Sequence, residues 1–203
     1  MESSSFSESV SAVPEGRFEI VVSGSGGQGI ILGGKLLAET AAVFSRRQAA
    51  MTPCYGPEVR GGVSSAELVI DAGVIDYPRI IRPNVMIAMS QPAMDLYGSA
   101  IGEHGLVIVN ETLVDDVPSR FENVFSAPLT ATAIREMKTP MVANMIALGA
   151  FAAITGLVSV QALEETIARH VPERVVDVDR RAVAYGAGLA EDAGFSWDIS
   201  RMY

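Results

Sequence analysis

An apolar run at residues 18–23, "FEIVVS", enters a turn made largely of glycine, and a helical pattern begins directly behind it. The turn reads Gly24-Ser25-Gly26-Gly27-Gln28-Gly29, and apolar residues recur at Ile30, Ile31, Leu36, Leu37, Ala41 and Phe44. The first run is a strand buried on both faces, and the spacing that follows is a helix reaching about Ser45. Gly33 and Gly34 fall inside that helix, where each costs roughly 1 kcal/mol relative to alanine. Close approach of another backbone would explain them.

Further elements follow in an α/β order. Residues 48–52 form a short element, and residues 64–71 ("SSAELVID") alternate as a strand with one wetter face. Residues 85–89 and 106–109 are compact apolar strands, 123–126 a weaker one, and 92–101 and 131–138 helices. The last third is helical over 141–155, 160–170 and 178–191, with Ser159 and Asp177 as N-caps of the last two. The expected fold is α/β: a single three-layer α/β/α domain over residues 17–192, with a mixed, mainly parallel sheet and a helical C-terminal third. Residues 1–16 are expected as a disordered, serine-rich acidic tail and 193–203 as a C-terminal tail.

Charge and cysteine content remove several function classes. The net charge is −9, and no basic cluster exceeds Arg46-Arg47 or Arg180-Arg181, which argues against nucleic acid or an anionic membrane as the main partner. Cys54 is the single cysteine, so the chain has no internal disulfide and no CxxC to hold a cluster or zinc. His104 and His170 lie far apart, and no metal site is expected. The start lacks the basic and apolar regions of a secretory signal, which points to a cytoplasmic protein. Residues 141–158, "MVANMIALGAFAAITGLV", approach the length of a membrane span, but Asn144, Thr155 and Gly156 interrupt them and no basic or aromatic anchors flank them. A buried helix in an α/β core is the better reading.

The glycine turn has the GxGxxG spacing of a dinucleotide site, with a helix N-terminus placed for a pyrophosphate. Such a site also needs an acid about 20 residues on to hold the ribose hydroxyls. The corresponding stretch, "SRRQAAMTP", has none. A second unusual stretch, "TPCYGPEVRGGVSSAEL", concentrates proline, glycine, Tyr55 and the pair Glu58/Arg60. It reads as an anion-binding or interface loop, or as an ordinary turn with a surface ion pair. No histidine neighbours Cys54 in sequence, so it reads as a small loop or core residue and not a nucleophile.

"GSGGQGIILGGKLLAE", "YGPEVRGGVSSAELVI" and "NMIALGAFAAITGLVS" occur in this order, and together they resemble the gamma subunit of the 2-oxoacid:ferredoxin oxidoreductases. "MSQPAMDLY" and "DVDRRAVAYGAGLA" are similar as well, so the resemblance covers roughly residues 17–190. It implies a non-catalytic but required subunit of a complex that converts a 2-oxoacid and CoA to acyl-CoA, CO2 and reduced ferredoxin. The complex would use thiamine diphosphate, Mg, [4Fe-4S] clusters and CoA, none of them held by this chain alone. The implied partners are alpha, beta and ferredoxin-like subunits and ferredoxin, with the 2-oxoglutarate or 2-oxoisovalerate enzymes as the nearest types. An isolated chain is expected to be inactive and to pair with itself through its orphan interface.

Carried onto this sequence, Gly24, Gly26, Gly27, Gln28 and Gly29 form the family's glycine turn, and Arg60 joins them as a CoA or anion contact. Tyr55, Gly56, Pro57, Glu58, Arg60, Gly61 and Gly62 form the signature loop, and both segments are expected to face the alpha subunit or the entrance to the active site. Asn144 either ties its helix to one of these segments or is satisfied locally by backbone. Two other readings stay open: a free-standing nucleotide- or dinucleotide-binding oxidoreductase that uses the GxGxxG turn, and a regulatory module with the gamma fold.

Overall fold

The computed structural model of the chain describes residues 16–56 and 62–202. The chain runs β1 (Arg17–Ser25), α1 (Ile30–Val43), β2 (Gln48–Tyr55), β3 (Val63–Asp71), β4 (Val85–Ala88), α2 (Gln91–Tyr97), β5 (Leu106–Asn110) and β6 (Asn123–Ala127). It ends with α3 (Leu129–Met137), α4 (Ala143–Thr155), α5 (Val160–His170) and α6 (Glu173–Asp192). Single 3-10 turns follow α2, precede α4 and occupy Ile199–Met202.

The six strands are ordered β2-β3-β1-β4-β5-β6. β1, β4, β5 and β6 run parallel, whereas β3 is antiparallel to both β1 and β2. The sheet is therefore mixed and mainly parallel, as the sequence indicated. Alternation along the strands separates two cores. Ile20, Val22, Leu68, Ile87 and Ile108 face the layer built from α1, α3, α4, α5 and α6. Val21, Met86, Val107 and Val109 face the opposite layer, which contains Met94 of α2, Ile101 and Phe121. The three layers are unequal: five helices contribute to the core on one face and a single seven-residue helix lies on the other.

Helix α4 has no charged residue and is buried on nearly every side, so it is hydrophobic all round because it is a core helix. It lies backbone to backbone against α6. A Cβ on Gly149 would collide with the carbonyl of Val183, and one on Gly186 with the carbonyl of Ile146. Of the two glycines within α1, Gly34 makes the close approach, against Ala66 of β3; a Cβ on Gly33 would make only ordinary contact, with Leu148 at 3.6 Å.

Most boundaries agree with the pattern along the chain, and three differ. Helix α5 starts behind Ser159, whose Oγ accepts from the Ala162 amide at 3.1 Å. Helix α6, by contrast, begins at Glu173 behind Pro172, so Asp177 is an exposed residue inside the helix and not its cap. The polar run "ERVVD" hides that first turn from a hydrophobic pattern, but proline fixes φ where a helix can begin. Strand β2 extends to Tyr55, which places Cys54 and Tyr55 in a sheet edge and not in the loop. The third is the segment behind α6, read as a tail. It folds back: Trp197 donates from Nε1 to the His104 carbonyl at 3.0 Å, and Phe195 meets Phe125 edge-on at 5.6 Å. Apart from Gly16, the tail expected over 1–16 lies outside the described residues.

Candidate functional site

The carboxyl end of β1 brings the two glycine-bearing segments together. Because β3 runs antiparallel to β1, with Ser25 opposite Val63, the last residue of β1 meets the first of β3. The Gly26 amide donates to the Gly62 carbonyl at 3.2 Å, and the Gly56 amide to the Val63 carbonyl at 2.8 Å. The glycine turn and the root of the signature loop are thus neighbours. Gly56 and Gly62 hold the root of that loop, and Tyr55 leads into it with 70% of its surface exposed. Pro57, Glu58, Arg60 and Gly61 lie outside the described residues.

Two carboxamides clamp the turn. Gln28 folds back so that its Oε1 accepts from the Ser25 amide at 2.7 Å, while its Nε2 donates to the Met89 carbonyl at 3.0 Å. Asn144, at the start of α4, donates from Nδ2 to the Gly29 carbonyl at 3.1 Å and accepts the Met145 amide on Oδ1 at 2.9 Å. Both readings of Asn144 hold at once: one end ties helix to turn and the other is satisfied locally. Gly29 has φ +70, and a Cβ there would lie 2.5 Å from Asn144 Nδ2. Positive φ and lack of room together require glycine.

Asn110, buried at the end of β5, was not singled out from the sequence. Its Nδ2 donates to Thr130 Oγ1 at 2.8 Å and reaches the same Met89 carbonyl at 3.3 Å. Its Oδ1 accepts the Thr130 amide at 3.1 Å. The available signal was a polar residue closing the apolar run "LVIVN", where the end of a parallel strand meets a loop. A buried amide there has to find partners, and it joins β4, β5 and α3.

What remains open to a ligand is the start of α1. Gly29 is its N-cap and provides no side-chain cap, and the first turn has no acid. The first amides of a helix have no intrahelical acceptor and carry the positive end of the helix dipole, so they suit an anion. Gly26 and Gly27 are exposed beside them. A dinucleotide is a poorer fit. The Ser25 and Gln28 amides are already used inside the turn, the latter on the Ser25 carbonyl at 3.3 Å, and the Gly26 amide is used on the Gly62 carbonyl. On the β3 side of β1, moreover, the neighbouring strand is antiparallel and presents its amino end, so no carboxyl strand end adjoins β1 there to carry a ribose-binding acid.

Cys54 lies across from Ser65 on β2, with Glu67 and Arg79 nearby. Burial and the Glu67 carboxylate push its thiol up from the usual cysteine range, the direction opposite to that of an activated nucleophile. Tyr97 shares a hydrogen bond of 2.7 Å with Ser65, and burial raises its phenol also. Among the described residues no group of three or more His, Cys, Asp or Glu could hold a metal ion. No helix there is long and apolar enough to cross a membrane.

Residues 19–189 match the family model described as pyruvate ferredoxin/flavodoxin oxidoreductase. The chain belongs to that family. Among curated members of it, the 2-oxoglutarate synthase subunit KorC of Methanocaldococcus jannaschii is 40% identical over 178 residues, covering 87% of this chain and 95% of its own. The ketoisovalerate oxidoreductase subunit VorA of Methanothermobacter thermautotrophicus is 31% identical over 184 residues, 88% of this chain but 37% of its own. The crystal structure of a keto/oxoacid ferredoxin oxidoreductase gamma subunit from Geobacter sulfurreducens matches with a TM-score of 0.80 and 36% identity, covering 88% of this chain and 98% of that one. The family's members named here are oxidoreductase subunits, so this chain works with partner subunits.

Proposed function

We propose that the chain is the gamma subunit of a 2-oxoglutarate:ferredoxin oxidoreductase, which converts 2-oxoglutarate and CoA to succinyl-CoA and CO2 and passes two electrons to ferredoxin. The observation that carries the substrate is the match to KorC, at 40% identity over nearly the whole of both chains. VorA matches at 31%, within a longer chain. A 2-oxoisovalerate enzyme is the second reading.

The chain's part in this reaction is to bind and assemble. One cysteine is too few for an iron–sulfur cluster, which takes four ligands, and the described carboxylates form no metal group. As the family resemblance implies, thiamine diphosphate, Mg and the clusters would be held by the alpha, beta and ferredoxin-like subunits. The uncapped start of α1, with Gly26, Gly27 and Gly29, is suited to a phosphate of CoA, and Arg60 would add a bidentate guanidinium from the adjoining loop. Tyr55, Gly56 and Gly62 would face the alpha subunit on the same side. The cytoplasm is the compartment that suits oxygen-sensitive clusters and ferredoxin.

The test is anaerobic affinity purification of the tagged chain from its host, followed by CoA-dependent reduction of a viologen dye with several 2-oxoacids. Recovery of cluster- and thiamine-binding subunits with highest activity on 2-oxoglutarate is expected. Preference for 2-oxoisovalerate selects the second reading, and a lone colourless chain that binds a nucleotide overturns both. Arg60→Ala in the active complex should raise the apparent KM for CoA; an unchanged value removes Arg60 from the site.

A further inference from the structure

The end of the sheet opposite the glycine turn carries a second surface. Residues 72–84 join β3 to β4 with no helix or strand of their own, a length at which such loops are usually functional. The second half of this loop, residues 79–84, is firmly anchored. The buried Glu19 carboxylate accepts the Ile81 amide at 2.5 Å and the Arg82 amide at 2.7 Å, and Arg17 donates to the Arg79 carbonyl at 2.8 Å. Asn84 and Glu19 exchange two further bonds, at 2.6 and 2.7 Å. Yet the loop leaves large apolar side chains in water: Val74 is 80% exposed, Ile81 75% and Tyr77 55%. A loop ordered in advance loses little entropy on docking, so apolar groups fixed on it favour association.

Both ends of the described chain lie beside this loop. Arg17, at the start of β1, bonds to it directly, and Arg201, near the end, lines a hollow of about 150 Å³ together with Arg82, Asn84 and His104. In VorA this domain makes up 37% of a longer chain. A chain continuing from either end of the described residues of this fold would leave at this edge. We infer that residues 72–84 are the dock for one particular partner: the separate subunit that corresponds to the remainder of the VorA chain. Arg82 flanks the apolar side chains, Arg79 beside them pairs with Glu67 at 3.7 Å, and Asp76 is exposed among them, so the matching patch is apolar with a rim of both charges.

This inference rests on the proposed function, and one experiment separates the two. The tagged chain, wild type or Tyr77→Asp/Ile81→Asp, is purified anaerobically from its host, with a photo-crosslinking residue placed at Val74 in a third sample. If wild type recovers no oxidoreductase subunits, the functional reading itself fails. If it does recover them, the double variant is expected to retain about tenfold less of that partner. Val43→Asp, at a half-exposed site on α1, should retain it fully. The Val74 crosslink is expected on a chain matching the remainder of VorA. Unchanged recovery with the double variant overturns the inference, as does a crosslink to a second copy of this chain. Circular dichroism of each purified variant identifies any loss caused by misfolding, and Tyr77→Ser/Ile81→Ser, which adds no charge, then decides the outcome.

Discussion

Asn144 Nδ2 sits 3.1 Å from the carbonyl oxygen of Gly29, so a side chain at the head of α4 fixes the turn at the head of α1, 115 residues earlier in sequence. Asn144→Ala removes this bond and leaves the carbonyl partly buried. A loss of about 1–2 kcal/mol is expected, read as a lower urea midpoint with an unchanged m-value. Gly29→Ala should cost more, because its φ is +70 and its Cβ would meet Asn144. In the double variant the steric part is relieved and the backbone part remains, so the two losses should sum to more than the double variant loses.

Gln28 spends both ends of its carboxamide on the backbone of Ser25 and Met89. Gln28→Leu has similar bulk and leaves an amide and a carbonyl without that partner. A loss of about 1–3 kcal/mol is expected, with faster hydrogen exchange at Ser25. Unchanged exchange at Ser25 would show that the carboxamide does not hold the turn.

The α4–α6 contact depends on the absence of two Cβ atoms. Gly149→Ala and Gly186→Ala each force a methyl group into a carbonyl of the facing helix, where neither backbone can give way cheaply. Each should lose at least about 1–3 kcal/mol. Gly188, also in α6, has open space where a methyl group would lie, with nothing within 4 Å, and Gly188→Ala should gain roughly 0.5–1 kcal/mol. Thermal melts of the three variants distinguish packing from propensity.

Asp179 is buried on α6, and desolvation raises its carboxyl from 3.8 to about 6. The raised value means that the folded protein favours the protonated form. The resulting stabilisation is fully present below 3.8 and is lost as pH rises through about 6, so above that the ionised carboxylate carries its full burial cost. Asp179→Asn should therefore raise stability at pH 8 by roughly 1–3 kcal/mol, with the gain shrinking toward pH 4. A gain that is the same at both pH values would exclude burial of the charge as its cause.

Much of the fold was legible because it depends on local chemistry. Residues 18–23 are mainly apolar, with Ile20, Val21 and Val22 consecutive, and residues 160–170 show a helical period behind a serine cap, so β1 and α5 could be placed from their own residues. The beginning of α6 could not, because its first turn pairs the exposed Glu173 and Arg174 with two adjacent valines and gives no helical apolar period. The glycine turn and the signature loop were each recognisable as motifs, but their meeting was not. That meeting follows from the antiparallel register of β1 with β3, and no feature of either segment alone records a register.

The order of residues was enough to establish the alternation of strands and helices, the glycine positions where the backbone must turn or approach closely, and the motifs that mark the family. These depend on backbone sterics and hydrophobic period over a few residues. Three-dimensional packing was needed to establish that Gln28 and Asn144 clamp the turn, that Asn110 joins three elements, and that an apolar loop stands fixed at the opposite end. Those facts depend on which distant groups are brought within hydrogen-bond distance, and packing of the whole sheet settles that.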